Sequence, residues 1–383
     1  MAGINKILIV GELYGYLAPG LVAENLCEGL SKYSNEIDLL TSKFHPRKHK
    51  PNGRVYHYRI RFRKYIRKYI SHIYYNVKYF FWKKVFKEIN FSKYDMIFLI
   101  VSNGYDVPIN IAALDFGKKR PVILAYFVDA MPPPYPYFEG DKQRANIAKF
   151  INSKLINIDK IYSTCLEMSE FQRTIIENKS IAMGELYNPS TLPELIHFKS
   201  TKTNRTFIYA GSIYYPRNVN YILDALAEVI KKYPDVKLIF VGSNIKKLKS
   251  KKFNSLSKNI EVLPYTKDLN SLYENCSALV DINCDVKQDI YMSSKLTSYF
   301  AYCKPIICES SSGSPARRVF ANLETVIHCD HCAQELKDAM FEVLEAKKPW
   351  DYTAREGLLK ELSIPEVTKK IIEDYYNYSK ERK

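Results

Sequence analysis

No uninterrupted apolar stretch in this 383-residue chain approaches the roughly 18 residues that a membrane-spanning helix needs. The amino terminus also lacks the basic-plus-apolar order of a secretory signal, so a cytoplasmic protein, soluble or peripherally attached, is expected. The eight cysteines, at positions 27, 165, 276, 284, 303, 308, 329 and 332, have no spacing of a secreted disulfide framework. His328-Cys-Asp-His-Cys332 is the only local cluster resembling a metal site. Its adjacent residues cannot easily surround one ion and no second ligand pair follows, so no metal is expected and a loop or strand-edge role is the expectation. With 46% hydrophobic residues there is no signature of disorder, and the chain is long enough for two buried domains.

Acidic residues are missing altogether from positions 59–87, which hold ten Lys or Arg and ten aromatic residues. That segment supplies +10 of the formal net charge of +16. Phe62, Ile66, Tyr69, Ile70, Ile73, Val77, Phe80 and Phe81 recur at helical spacing as an apolar stripe. A basic aromatic helix of this kind lies in an anionic membrane interface or packs its aromatic face into the core. Arg63, Arg67 and Lys68 are the candidate docking charges. The absence of a nucleic-acid motif argues against nucleic acid as partner.

Two copies of one construction stand out: an apolar strand, a glycine-containing turn, then a helix. Lys6-Ile-Leu-Ile-Val-Gly-Glu-Leu-Tyr-Gly15 opens the first and Thr206-Phe-Ile-Tyr-Ala-Gly-Ser212 the second. In open α/β sheets such a turn brings backbone N–H groups and a helix N-terminus to a ligand crevice. Two facing Rossmann-like α/β domains with a cleft between them are expected, an organisation suited to an enzyme that joins two bound molecules. The first spans 1–187, a linker 188–205, the second 206–364, and a helix at 365–383 packs back on the first. Strands are expected at Ile7–Val10, Glu36–Leu40, Asp95–Val101, Pro121–Val128, Thr206–Ala210, Val236–Val241, Ile260–Leu263, Ala278–Ile282, Pro305–Cys308 and Thr325–His328. Helical patterns between several of them imply parallel crossovers. Met131-Pro-Pro-Pro-Tyr-Pro136 continues neither strand nor helix and reads as a stiff loop.

Ala210-Gly-Ser-Ile-Tyr-Tyr-Pro-Arg-Asn218, Leu238-Ile-Phe-Val-Gly-Ser243 and Ser294-Lys-Leu-Thr-Ser-Tyr-Phe-Ala-Tyr-Cys-Lys-Pro-Ile-Ile307 occur in this order. With them the chain resembles the retaining GT-B nucleotide-sugar glycosyltransferases, in particular the GT4-like group with many bacterial polysaccharide and glycolipid enzymes. The resemblance covers most of the chain and is strongest from Phe207 to Val319. It implies a nucleotide-sugar donor in the second domain, an acceptor in the first, and no cofactor beyond the donor, which leans towards a UDP-sugar. Arg217 and Lys295 are the candidates to stabilise the departing diphosphate.

Gly211, Ser212, Gly242, Asp289, Ser298, Gly313 and Ser314 are the remaining donor-site candidates. Ser212 and Ser298 stand where the family usually has arginine and a ribose-binding glutamate. Asp289 either binds donor-sugar hydroxyls or caps the following helix, and Gly313-Ser314 either offers backbone N–H groups to the donor or forms a polar surface turn. On the acceptor side Gly11, Gly15 and Gly20 make a loop open to close backbone approach, although its spacing is no dinucleotide fingerprint, and Gly11, Gly15 and Tyr16 are the candidate acceptor contacts. Asp129 follows a strand where relatives carry His-Asp, and here Val128 precedes it. It orients a hydroxyl or serves the turn.

The reaction so implied is retaining transfer of a sugar to a carbohydrate, with a lipid-linked glycan of a capsule, O-antigen, lipopolysaccharide or exopolysaccharide pathway as the favoured acceptor. The protein would then act as a peripheral membrane transferase at the inner face of the plasma membrane. A nucleotide-sugar epimerase and a non-catalytic carbohydrate-binding or assembly subunit are the alternatives.

Overall fold

The computed structural model describes residues 3–15, 17–57, 74–102, 107–117, 119–137, 140–198, 204–243, 251–266, 268–287 and 289–382. The chain divides into two compact units, Met1–Thr191 with Leu362–Lys383, and Leu192–Glu361.

Each unit is built on one parallel sheet. In the first unit the strands are β1 (Ile4–Gly11), β3 (Ser34–Thr41), β5 (Val55–His57), β6 (Met96–Val101), β7 (Val122–Phe127), β8 (Lys160–Ser163) and β9 (Ala182–Glu185). Two further short strands, β2 (Leu13–Tyr14) and β4 (Lys43–Phe44), pair with each other. The seven-stranded order is β5-β3-β1-β6-β7-β8-β9, so the direction of winding reverses between β1 and β6. Every residue of β6 and β7 is buried, as expected of strands covered on both faces. Ile7, Ile9, Leu26, Leu30, Leu39, Phe98 and Ile100 share one core with Val367 and Ile371 of the C-terminal helix Ile364–Glu381. That helix is tied further by Asp374, which accepts from Tyr162 Oη at 2.5 Å and pairs with Lys160 Nζ at 2.7 Å.

In the second unit the strands are β10 (Thr206–Ala210), β11 (Lys237–Val241), β12 (Ile260–Leu263), β13 (Ala278–Ile282), β14 (Ile306–Glu309) and β15 (Val326–Cys329). Their order is β12-β11-β10-β13-β14-β15, with the reversal between β10 and β13. The helices Asn220–Lys232 and Ala333–Glu345 bury Leu223, Leu226, Leu336 and Met340 against one face. Two parallel α/β domains of this kind make a double Rossmann, GT-B-like architecture.

The helix Tyr74–Phe86 is the described part of the basic aromatic segment. There the stripe runs differently from its sequence pattern: Trp82 and Phe86 are buried, whereas Phe80 is 56% exposed. Residues four apart share a helix face, and Trp82–Phe86 is the pair that faces inward, their rings in edge contact at 5.7 Å. Arg63, Arg67 and Lys68 lie outside the described residues.

Candidate functional site

Open parallel sheets bind ligands at the carboxyl ends of their strands, at the point where winding reverses. In the second unit that point is framed by the ends of β10 and β13. Arg217 is stitched to it. Its Nε donates to Ile282 O at 2.9 Å, its Nη1 reaches Ser212 O at 3.5 Å, and its guanidinium lies 4.4 Å from the Tyr214 ring centre. Its backbone bridges Cys284, and Asp285 N donates to Pro216 O at 3.2 Å. The following helix starts at Asn220, so Arg217 belongs to a loop clamped on β13. The carbonyls of Ile282 and Ser212 thus hold this side chain.

Lys295 comes from the helix Ser294–Tyr299 and crosses to the same strand end. Its aliphatic stem runs over Gly211, whose φ is +143°, and a Cβ there would fall 2.8 Å from Lys295 Cδ. Glycine is required at this place on both counts. Lys295 Nζ then lies 3.3 Å from Asp281 Oδ1, 3.4 Å from Ser293 Oγ and 5.5 Å from the Tyr209 ring centre. Burial pushes the Lys295 amine below its ordinary pKa of 10.5; Asp281 pulls it back up and Arg217 adds to the lowering. Asp281 is fully buried. Sequence reasoning passed over it, although a lone carboxylate inside Ala278-Leu-Val-Asp-Ile282 was its signal.

A second pair was also missed. Glu309, the last residue of β14, is fully buried and its Oε1 meets His331 Nδ1 at 2.9 Å. The other Glu309 oxygen and His331 Nε2 are buried with no hydrogen-bond partner among the described residues. Burial pushes the Glu309 carboxyl up to about 7, with His331 opposing. Burial works to lower His331, and Glu309 outweighs it, so the imidazole ends above its ordinary 6.5. Tyr221 stands beside this pair, its ring centre 6.2 Å from that of His331 and its hydroxyl 3.1 Å from Asp285 Oδ2.

The remaining donor-side candidates are placed as follows. Ser212 is exposed and its carbonyl accepts from Tyr209 Oη at 2.9 Å. Gly242 has φ +70°, and Ser243 Oγ donates to Gly211 O at 2.7 Å, linking the ends of β10 and β11. Ser298 is exposed and its hydroxyl donates back to Ser294 O at 3.1 Å. Asp289 is buried and accepts from Tyr291 N at 3.0 Å, which closes a turn; the helix begins at Ser294 with Ser293 at its cap, so Asp289 is not its cap. Ser314 is buried, donates its N–H to Ser311 O at 3.0 Å and caps the helix Pro315–Val319 through its hydroxyl. Its amide is therefore engaged within the loop. Gly313 is exposed, and a Cβ there would meet nothing within 4 Å.

In the first unit Gly11 closes β1 beside Ile100 of β6, at the corresponding reversal. Gly15 has φ +67° and presses on His45 O. Tyr16 lies outside the described residues. Asp129, two residues after β7, is half-buried, and burial pushes its carboxyl up to about 6. Among the described residues no group of three or more His, Cys, Asp or Glu side chains could hold a metal ion, and no helix is long and apolar enough to cross a membrane. The His328–Cys332 cluster is instead divided between β15, the Glu309 contact and the start of the helix Ala333–Glu345.

Residues 204–346 match the family described as Glycosyl transferases group 1. No curated protein matches the chain. Among solved structures, the apo form of the lipopolysaccharide outer core galactosyltransferase WaaB aligns at 12% identity with a TM-score of 0.65, over 97% of this chain and 99% of its own. WaaG, a glycosyltransferase involved in lipopolysaccharide biosynthesis, aligns at 11% identity and TM-score 0.65, over 95% and 98%. The UDP-N-acetylglucosamine 2-epimerase of Rickettsia bellii aligns at 13% identity and TM-score 0.57, over 98% and 97%. With a group 1 glycosyl transferase match within its second unit, the chain is a GT-B-fold protein that resembles bacterial lipopolysaccharide glycosyltransferases in fold.

Proposed function

We propose that the protein is a retaining glycosyltransferase that moves a sugar from a nucleotide-sugar donor to a carbohydrate acceptor. The observation that carries this reading is the convergence of Arg217 and Lys295 on the end of β13, in the unit that matches the glycosyl transferases. Both cations are oriented by the protein before any ligand arrives. In the transfer the bond from the anomeric carbon to the diphosphate oxygen breaks and a new bond forms to the acceptor oxygen. Negative charge grows on the diphosphate, where Arg217 and Lys295 stabilise it more in the transition state than in the bound donor. The departing phosphate oxygen takes the acceptor proton, so no strong protein base is needed. Asp129 orients a hydroxyl, and Gly211, Gly242, Asp289, Ser298 and Gly313 line the donor.

A UDP-sugar is the favoured donor, in keeping with the UDP-N-acetylglucosamine enzyme among the fold relatives. A lipid-linked glycan at the inner face of the plasma membrane is the favoured acceptor, in keeping with the lipopolysaccharide enzymes. The exposed Phe80, with Lys84 Nζ 4.7 Å from its ring centre, supports contact with an anionic membrane.

The epimerase relative keeps a second reading open: internal acid–base chemistry on the donor sugar alone. One experiment separates them. A panel of nucleotide sugars is incubated with and without a lipid-linked glycan mixture, and products are read by mass spectrometry and by anomer-resolved analysis. Acceptor-dependent nucleotide release with a glycan gaining one sugar supports transfer. An epimerised free nucleotide sugar without acceptor would overturn it.

A further inference from the structure

The segment His45-Pro-Arg-Lys-His-Lys50 carries five basic or imidazole side chains around one proline, with no acid and no Phe, Tyr or Trp. It follows β4 at the end of the first sheet's glycine turn, and it is held in place by unusually specific contacts. Glu24, buried in the helix Leu17–Leu30, accepts through the single oxygen Oε1 from the backbone N–H groups of Arg47, Lys48 and His49 at 2.7, 2.7 and 2.9 Å. Tyr14 Oη donates to His49 O at 3.0 Å, and Tyr14 stacks on Phe44 with ring centres 5.4 Å apart. Arg47 Nε donates to Gly15 O at 3.0 Å, and His45 N donates to Tyr14 O at 3.0 Å. A Cβ on Gly15 would fall 2.0 Å from His45 O, so only glycine lets the turn and the basic segment meet.

These contacts fix the backbone and leave the charges outside. Glu24 engages amides, not side chains, and His45, Arg47, Lys48 and Lys50 are exposed. Among the described residues no carboxylate forms an ion pair with Arg47, Lys48 or Lys50. Holding like charges together without counter-charges opposes folding, and a bound anion relieves it. The segment leaves the end of β4, which pairs with β2, and runs back along the helix Leu17–Leu30 to Asn52, whose Oδ1 accepts from Ile37 N at 2.8 Å. An arginine fork with flanking lysines suits a group that presents several charged oxygens at once. The lack of an aromatic side chain distinguishes it from an interfacial helix, which needs apolar burial as well as charge.

We propose that His45–Lys50 is a preorganised site for a phosphoryl group, phosphate or pyrophosphate, carried by the acceptor. This rests on the assignment of the first unit to the acceptor, and it adds the chemical class that the acceptor must display: an anionic phosphoryl group beside the sugar that receives the transfer.

The test uses the full chain and inorganic pyrophosphate as probe, titrated calorimetrically. The wild type is expected to show two sites, one at His45–Lys50 and one at Arg217 and Lys295. Arg47→Ala/Lys48→Ala/Lys50→Ala removes the first, weakening it by about tenfold or more, the scale of lost charge-assisted contacts. Arg217→Ala/Lys295→Ala leaves it intact. Lys48→Gln/Lys50→Gln, which removes the charges but keeps polar side chains and the backbone amides that contact Glu24, weakens the same site and guards against misfolding. Wild-type stoichiometry and affinity in the triple variant, with an unchanged circular dichroism spectrum, would overturn the proposal. So would loss of pelleting with phosphatidylglycerol vesicles while pyrophosphate binding persists, which would make the segment a lipid contact. Failure of the transferase reading is seen separately, as absence of sugar transfer while the first pyrophosphate site remains.

Discussion

Lys295 Nζ stands 3.3 Å from Asp281 Oδ1, with Asp281 fully buried and the Lys295 side chain 15% exposed. The pair has an ionic distance, yet among the described residues neither Asp281 oxygen accepts a hydrogen bond of good geometry. A buried carboxylate in that condition has the lysine as its compensating charge. It also holds the cation in the field of Arg217, which works to discharge it. The lysine is thus poised between a fixed anion behind it and any diphosphate placed in front.

That arrangement separates two roles by mutation. Lys295→Ala strands a buried charge, and a loss of about 3–5 kcal/mol in stability is expected. It should also lower turnover with a verified donor by about a hundredfold. Adding Asp281→Asn should restore most of the stability, read by urea unfolding, and none of the turnover. Recovery of turnover in the double variant would make Lys295 only the structural partner of Asp281.

Much of this molecule is legible in its sequence. Met96–Val101, Val122–Phe127 and Ala278–Ile282 are largely apolar runs of the kind that a two-sided parallel sheet accommodates, and Gly11 and Gly211 mark the ends of β1 and β10. The positions of Gly211 and Gly15 are legible for the same reason. Partners across the sheet are not, because Asp281 with Lys295, and Glu309 with His331, meet only after the strands are ordered. Arg355 is the plainest instance. A surface residue by its type, it is fully buried, with Nε donating to Thr325 Oγ1 at 2.7 Å and its other nitrogens to the carbonyls of Tyr302, Lys304 and Thr325. Nothing in its neighbours along the chain signals those distant carbonyls.

The Glu309–His331 pair gives a pH signature. His331 should titrate above 6.5 by imidazole NMR, and Glu309→Gln should lower it, since burial is then opposed only by the smaller pull of Asp285 and Asp289. Because the folded imidazole binds its proton more tightly than the unfolded one, its contribution is full below about 6.5 and is lost as pH rises through the folded value. Glu309, raised from its ordinary 4.5 to about 7, acts in the same sense: the folded state holds a proton that the unfolded state releases. Stability in urea should therefore fall between pH 5 and 8, with a shallower fall in Glu309→Gln. An identical slope in the variant would remove the pair from the account.

Asp129 makes a second pH prediction, on activity. With its carboxyl pushed up to about 6, a role in orienting an acceptor hydroxyl as an ionised acceptor requires that transfer decline as pH falls through that value. In Asp129→Asn this limb should vanish from the profile of kcat/KM for the acceptor, while the affinity for the donor stays near wild type. A limb near pH 6 that survives the substitution would assign it to another group and leave Asp129 a turn residue.

The basic aromatic segment is tested at both of its ends. Neutralising Arg63, Arg67 and Lys68 together should reduce partition onto anionic liposomes, because these charges supply attraction to the headgroups. High salt should weaken the wild-type association in the same way, by screening. A remainder should persist at high salt, and Phe80, 56% exposed on the helix Tyr74–Phe86, is an aromatic side chain available for burial in the interface. Phe80→Ser should remove part of that salt-resistant remainder and leave the fold intact, since Trp82 and Phe86 carry the buried face. Donor affinity should be untouched by either change, because Arg217 and Lys295 lie in the second unit. If the triple variant, correctly folded, partitions as the wild type does, the positive charge of the segment serves no membrane. Its aromatic residues then belong to the packing of the first unit alone.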